Sequence, residues 1–203
     1  FGGFADRLGD IDHGLINIGV SIGEKVLQPT IFLAKAQDDA ISQLKRVTAA
    51  GDRYSDILID SEINMRTFGV SMDQAADSIK DLHLQTSLFT EMSEKSQMVM
   101  VENTALMEQF GIGTGTTSAN LDILTKAMGM NAQQATYTNR ELFATAKALG
   151  VAPEVIMSEF GPAMSTLAAH GDQAVRVFKE MSAAAKATGV EMNTLLGYAK
   201  NFD

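Results

Sequence analysis

A short motif that recurs along this chain constrains its fold more than any other feature. In the clearest copy, Leu149-Gly150-Val151 is followed almost at once by Pro153-Glu154. Glycine readily adopts the left-handed conformation that closes a helix, and the apolar residue after it can fold back onto the last turn. Proline suits the first position of a new helix, where an acid meets the positive helix end. The motif therefore predicts two helices joined with almost no linker.

The pattern of a glycine, an apolar residue and a new helix start occurs five times. The glycines predicted to form these structural joints are Gly69, Gly111, Gly129, Gly150 and Gly189. Ser71 with Gln74, and Asn131 with Gln134, have the spacing of capping boxes. The sequence contains no alternating run of β-branched residues of useful length, so no strand is predicted. We therefore expect an all-α fold, with elongated N-terminal helices followed by a compact array of short helices joined by Gly-capped turns.

Residues 1–50 are predicted to form an elongated helical segment, and residues 51–203 an all-α domain. In residues 4–27, apolar side chains recur at alternating steps of three and four, close to a coiled-coil seam. Interrupting glycines each cost about 1 kcal/mol relative to alanine, so this helix should not stand alone and needs a partner surface. The segment is either a helix packed on its own domain or a frayed end, or else a helix that associates with another copy, a partner or a membrane. The partner-interface residues that this predicts are Leu8, Ile11, Leu15, Ile18, Gly19, Ile22 and Gly23.

Composition narrows the classes of function. The 203 residues carry a net charge of −9, and no segment is basic, so specific nucleic-acid binding is not expected. The absence of cysteine excludes disulfide and thiolate chemistry. The sequence contains no secretory signal and no apolar run long enough to span a bilayer. Because the first residue is Phe1 rather than methionine, we expect a piece of a longer protein.

The sequence predicts no catalytic, cofactor-binding or metal site. Asp10, Asp12 and His13 are close together, but Asp10 and Asp12 would point to different sides of a helix. Glu154 and Glu159 are the carboxylates that could be considered for glycoside hydrolysis. Their separation of five residues on a predicted helix places them on different faces. An enzyme is therefore the least favoured class.

Other polar features have structural explanations. Residues 111–116 superficially resemble a phosphate-binding loop, but no strand precedes them and no Gly-Lys-Ser/Thr follows, so residues 113–117 are predicted to be a plain loop. His83 is expected beside an apolar helical stripe. His170 is expected at a helix end, where it can interact with the helix dipole.

Several joints also carry a resemblance to a known family. They are Phe68-Gly69-Val70-Ser71, Glu108-Gln109-Phe110-Gly111-Ile112, Lys147-Ala148-Leu149-Gly150-Val151 and Ala187-Thr188-Gly189-Val190. From residue 52 onwards, the chain resembles the tail tape measure proteins and related internal virion proteins of tailed bacteriophages. That family is long, helical and poor in cysteine, and it repeats units of this kind. It is mostly extended coiled coil, whereas the closely spaced helices after residue 95 predict a compact domain.

The resemblance implies a non-catalytic structural virion protein that sets tail tube length and is released on DNA ejection. Its implied partners are copies of itself, tail tube proteins or baseplate hub proteins, with transient membrane contact during ejection and no cofactor. Its implied location is the interior of the phage tail, after assembly in the host cytoplasm. The alternative is an all-α protein–protein interaction or adaptor module of a cellular protein, which would bind a partner helix in a methionine-rich groove.

Overall fold

Helices account for most of the chain that the structure describes. The structure is a computed structural model, and it describes residues 34–50 and 52–201. No β-strand occurs in these two ranges, which confirms the all-α prediction. The predicted seam in residues 4–27 lies outside the described residues.

The helices follow one another with short connections. Residues 34–48 belong to α1. The later helices are α2 (Ser55–Met65), α3 (Met72–Gln85), α4 (Glu94–Gln109), α5 (Thr114–Asp122), α6 (Ala132–Leu149), α7 (Pro153–Leu167), α8 (Ala174–Thr188) and α9 (Met192–Asn201). Both predicted capping boxes are present, at the starts of α3 and α6.

The helices pack in two layers. One layer contains α2, α4, α6 and α8, and the other contains α3, α5, α7 and α9; each helix packs on its chain neighbours and on the next helix of its own layer. Leu44 and Val47 of α1 lie beside Ala76 and Lys80 of α3, so α1 adds to the second layer. Successive helix pairs therefore stack as hairpins, which is the arrangement of an α-solenoid.

Polar contacts between successive hairpins join residues between 32 and 40 positions apart in sequence, and an offset of 37 or 38 residues recurs among them. In the first layer the pairs are Asn64 with Glu102, Asn103 with Arg140, and Glu141 with Lys179, which are 38, 37 and 38 residues apart. Between α5 and α7 of the second layer the pairs are Thr116 with Glu154 and Asn120 with Met157, which are 38 and 37 residues apart. Between α3 and α5 the offset is shorter, since Asp81 contacts Thr114 at a separation of 33 residues. The recurring offset along the first layer means that equivalent positions of successive hairpins meet there, as in a repeat protein.

One hydrophobic core lies between the two layers. Its largest side chains include Phe89, Phe160 and Phe178, and the rings of the last two pack edge to face with their centroids 5.3 Å apart. Ala40 and Leu44 of α1 are buried in this same core. The predicted boundary between residues 50 and 51 stays a prediction.

Two local predictions were wrong. Helix α5 begins at Thr114, inside the predicted loop, because Gly115 lets α5 lie close to Gln85 of α3 and tertiary packing outweighs weak helix propensity. Residues 153–160 and 162–169 were predicted as separate helices, but α7 continues through Pro162 to Leu167. Proline removes one backbone donor there, the one that would bond to the carbonyl of Ser158. Both residues are exposed, so water can take the place of that donor and the helix continues.

Candidate interaction surface

All five joint glycines have a positive φ. The values are 84° at Gly69, 83° at Gly111, 68° at Gly129, 63° at Gly150 and 71° at Gly189. At three joints, the residue after the glycine donates its backbone N–H to a carbonyl five residues earlier: Val70 to Met65, Ile112 to Met107 and Val151 to Ala146. The glycine N–H bonds three residues back at the same joints, which completes a Schellman motif.

The five joints are not equivalent in the fold. Gly129 follows the π-helical turn Ile123–Ala127 and connects one hairpin to the next. The other four joints lie inside hairpins, between α2 and α3, α4 and α5, α6 and α7, and α8 and α9. Their glycines are 42, 39 and 39 residues apart, close to the offset of 37 or 38 residues that recurs among the polar contacts. This spacing was visible in the sequence and would have revealed the repeat.

The hairpin joints lie side by side along one edge of the stack. Gln109 donates a hydrogen bond from Nε2 to the carbonyl oxygen of Gly69, at 2.9 Å. Phe68 and Phe110, each just before a joint glycine, remain 61% and 52% exposed. The ring of Phe110 lies 5.0 Å from the ring of Phe143, between centroids. The edge therefore presents aromatic surface to solvent.

A groove also opens between α2 and α4, and it is called the α2–α4 groove below. Its volume is about 410 Å³, and its lining residues are Asp56, Ile57, Ile59, Asp60, Glu94, Lys95 and Met98. These helices are neighbours in one layer. The groove is therefore a site where successive repeats together create a concave surface with an apolar base and charged walls.

The two carboxylates considered for hydrolysis have different surroundings. Glu154 Oε1 accepts a hydrogen bond from Thr116 Oγ1 of α5, at 3.2 Å. Glu159 instead lines a groove against α8 and α9, where burial and then the charge of Glu191 raise its pKa. The structure thus does not bring Glu154 and Glu159 together to act on one bond.

The described histidines also occupy structural positions. His83 Nδ1 lies 2.9 Å from the hydroxyl of Tyr54, and burial, followed by the charge of Arg53, lowers the pKa of His83. His170 is exposed in the 3₁₀ turn Ala168–Gln173. Among residues 34–50 and 52–201, no group of three or more His, Asp or Glu side chains could hold a metal ion. Asp10, Asp12 and His13 lie outside those ranges.

Glu108 of α4 lies in an acidic environment between helices. Burial raises its pKa most, the charges of Asp77 and Asp81 on α3 raise it further, and Lys80 opposes them. Lys80 is itself paired with Asp77, and Thr114 of α5 donates a hydrogen bond to Asp81. Glu108 Oε2 is buried without a hydrogen-bond partner in the described part of the chain. The ionised form of Glu108 is therefore disfavoured in the folded protein.

Replacing Glu108 by glutamine is expected to raise the free energy of unfolding at pH 7 by up to about 1 kcal/mol. The folded state holds the Glu108 proton more tightly than the unfolded chain, so ionisation at neutral pH destabilises the fold. The ordinary pKa of glutamate is about 4.3. Well below that pH, Glu108 is protonated in both the folded and the unfolded state, so the stability difference between Glu108 and glutamine should vanish. Urea titrations at both pH values measure this. Glu102→Gln, on the same helix, is the control, and an equal gain there would contradict the explanation.

The predicted partner-interface residues Leu8, Ile11, Leu15, Ile18, Gly19, Ile22 and Gly23 lie outside the described residues. Within the described ranges, no helix is both long and apolar enough to cross a membrane. No family model matches the chain, and comparisons with curated proteins and with solved structures find no similar protein.

Proposed function

We propose that this chain is a non-catalytic structural protein of a phage tail, part of a tape measure or of an internal protein linked to the baseplate. The family resemblance of its joints supports the phage assignment. The structural observation that supports it most is the offset of 37 or 38 residues that recurs between α2 and α4, α4 and α6, α6 and α8, and α5 and α7. In such an array each unit contacts its neighbours, so stability and length both grow with the number of units. A protein that determines a length benefits from this property.

The same architecture suits release from the tail. A stack held by nearest-neighbour contacts can unfold one hairpin at a time from an end. Its net charge of −9 repels DNA, so DNA can pass without binding to it. The partners in this proposal are copies of the chain, tail tube proteins and baseplate hub proteins, with membrane contact during ejection.

Deleting one complete repeat in the phage that encodes the protein tests this function. Removing residues 112–150 joins Gly111 to Val151 and so recreates a glycine–valine joint. We expect shorter tails in electron micrographs, by about 60 Å if the 39 residues form one extended helix in the tube. Shortening by about 10 Å would indicate that the hairpins stay stacked there.

Duplicating residues 112–150 is the matched control for this deletion, and it should lengthen the tail by the same amount. Unchanged tail length, in particles that contain the shortened chain, would contradict a measuring role. Absence of the chain from purified virions would instead favour the second candidate, an all-α interaction module of a cellular protein. The specific observation behind that candidate is the exposed α2–α4 groove.

A further inference from the structure

One face of α2 is exposed and alternates acidic and apolar side chains. Residues three or four apart lie on the same face of a helix. This spacing places four side chains of α2 on one face: Asp56, Ile59, Asp60 and Ile63. Ile63 is 54% exposed, and both aspartates are exposed as well. Asp56 and Asp60 are one helical turn apart, and neither makes an ion pair with another described residue. This face has no covering element among the described helices.

Helix α4 provides the opposite wall of the α2–α4 groove. Glu94 and Lys95 stand at its beginning, and Met98 provides apolar surface one turn further along. At the far end, Asn64 Nδ2 lies 3.9 Å from the sulfur of Met98 and 2.8 Å from Oε1 of Glu102. The groove therefore follows the two helices and has apolar side chains between carboxylates. Residues 51–100 also carry a net charge of −5, the largest part of the total of −9.

We propose that the α2–α4 groove binds a cationic amphipathic helix of a partner protein. Two neighbouring helices of one layer leave a furrow in which the ridge of a third helix can pack. The apolar stripe of such a helix would contact Ile59 and Met98 in the groove and then Ile63, which lies beyond the groove on the same exposed face of α2. Lysine or arginine side chains spaced four residues apart would meet Asp56 and Asp60, which have the same spacing. A volume of about 410 Å³ admits inserted side chains and leaves the helix itself lying over the groove.

Charge complementarity selects this occupant over the alternatives. Three carboxylates and one lysine line the groove, so an acidic helix would be repelled. A small polycation would satisfy the carboxylates but would leave the apolar base uncovered. The inference concerns this surface alone and does not depend on the phage assignment, so it can fail while the proposed function stands.

Binding of a labelled model peptide to the full 203-residue chain tests the proposal. The probe is a peptide of leucine and lysine that forms an amphipathic helix. Two comparison peptides are used: one has the same composition in scrambled order, and the other has glutamate in place of every lysine. Fluorescence anisotropy should show binding of the amphipathic lysine peptide alone. Binding should weaken strongly between about 0.01 M and 1 M salt, because exposed charges are screened.

Matched variants locate the site. Asp56→Asn with Asp60→Asn should weaken binding about tenfold, since two ion pairs are lost. Ile63→Ser should also weaken it, and this exposed site leaves folding intact. The control is Asp73→Asn with Asp77→Asn, which removes two acids at the same spacing and helix position on α3 of the other layer. It should change binding less than about twofold.

Three results would overturn the proposal. The scrambled peptide could bind equally well, the two double variants could have equal effects, or the polyamine spermine could displace the peptide fully while Ile63→Ser has no effect. The last result would identify a site for small polycations. Circular dichroism of each variant establishes that the loss of binding does not come from unfolding.

Discussion

Replacing Phe160 by alanine is expected to lower the free energy of unfolding by about 3–5 kcal/mol. Phe160 is fully buried on α7, and its ring meets that of Phe178 on α8 edge to face. Because α7 packs on helices of both layers, the cavity would open at the centre of the C-terminal hairpins. Urea denaturation followed by circular dichroism measures the change.

Two comparisons show whether packing is the cause. Phe68→Ala removes an aromatic ring of the same size that is 61% exposed, and it should change stability by less than about 0.5 kcal/mol. The double variant Phe160→Ala with Phe178→Ala should cost less than the sum of the single variants, since the two rings contact each other. Equal losses for Phe68 and Phe160 would contradict the assignment of Phe160 to the core.

Replacing Gly150 by alanine is expected to lower the free energy of unfolding by about 1–2 kcal/mol. Gly150 has φ 63° and ψ 34° at the end of α6, a left-handed conformation that side chains disfavour. A Cβ built there has no other atom within 4 Å, so the cost would come from the backbone conformation alone. Thermal and urea unfolding of the purified chain measure it.

The matched control for Gly150 is Gly113→Ala. Gly113 precedes α5 with φ −56°, and a Cβ there would make an ordinary contact of 3.7 Å with Thr116 Oγ1. Alanine should therefore cost much less at Gly113 than at Gly150. If both substitutions reduced stability equally, the left-handed joint would not be the source of the effect.

Helix ends were the most predictable part of this fold, because their signals are local. Ser71 with Gln74 forms its capping box from residues within one turn, and Pro153 begins α7 without help from distant residues. The same local reasoning failed at Thr114 and Pro162. At Thr114, packing of α5 against α3 decides where the helix begins. At Pro162, the carbonyl of Ser158 that loses its donor is exposed to water, so the helix does not end.

The candidate surface could not be predicted in the same way. The α2–α4 groove joins residues 56–60 to residues 94–98, and nothing in either stretch indicates the other. The pairing follows only once α2 and α4 occupy the same layer. The regular spacing of the four glycines inside hairpins indicated that α2 and α4 are equivalent helices of successive repeats. That spacing is visible only when Gly129, which lies between two hairpins, is left out of the series.

The sequence by itself determined that the chain is helical and where a joint such as Leu149-Gly150-Val151 ends one helix and admits the next. These properties depend on backbone conformation and on hydrogen bonds within a few residues. Only the tertiary structure decided that the helices stack as hairpins in two layers, that Phe160 meets Phe178, and that α2 and α4 enclose a groove. Those contacts join residues far apart in sequence, and they form only when burial of apolar side chains selects one packing among many.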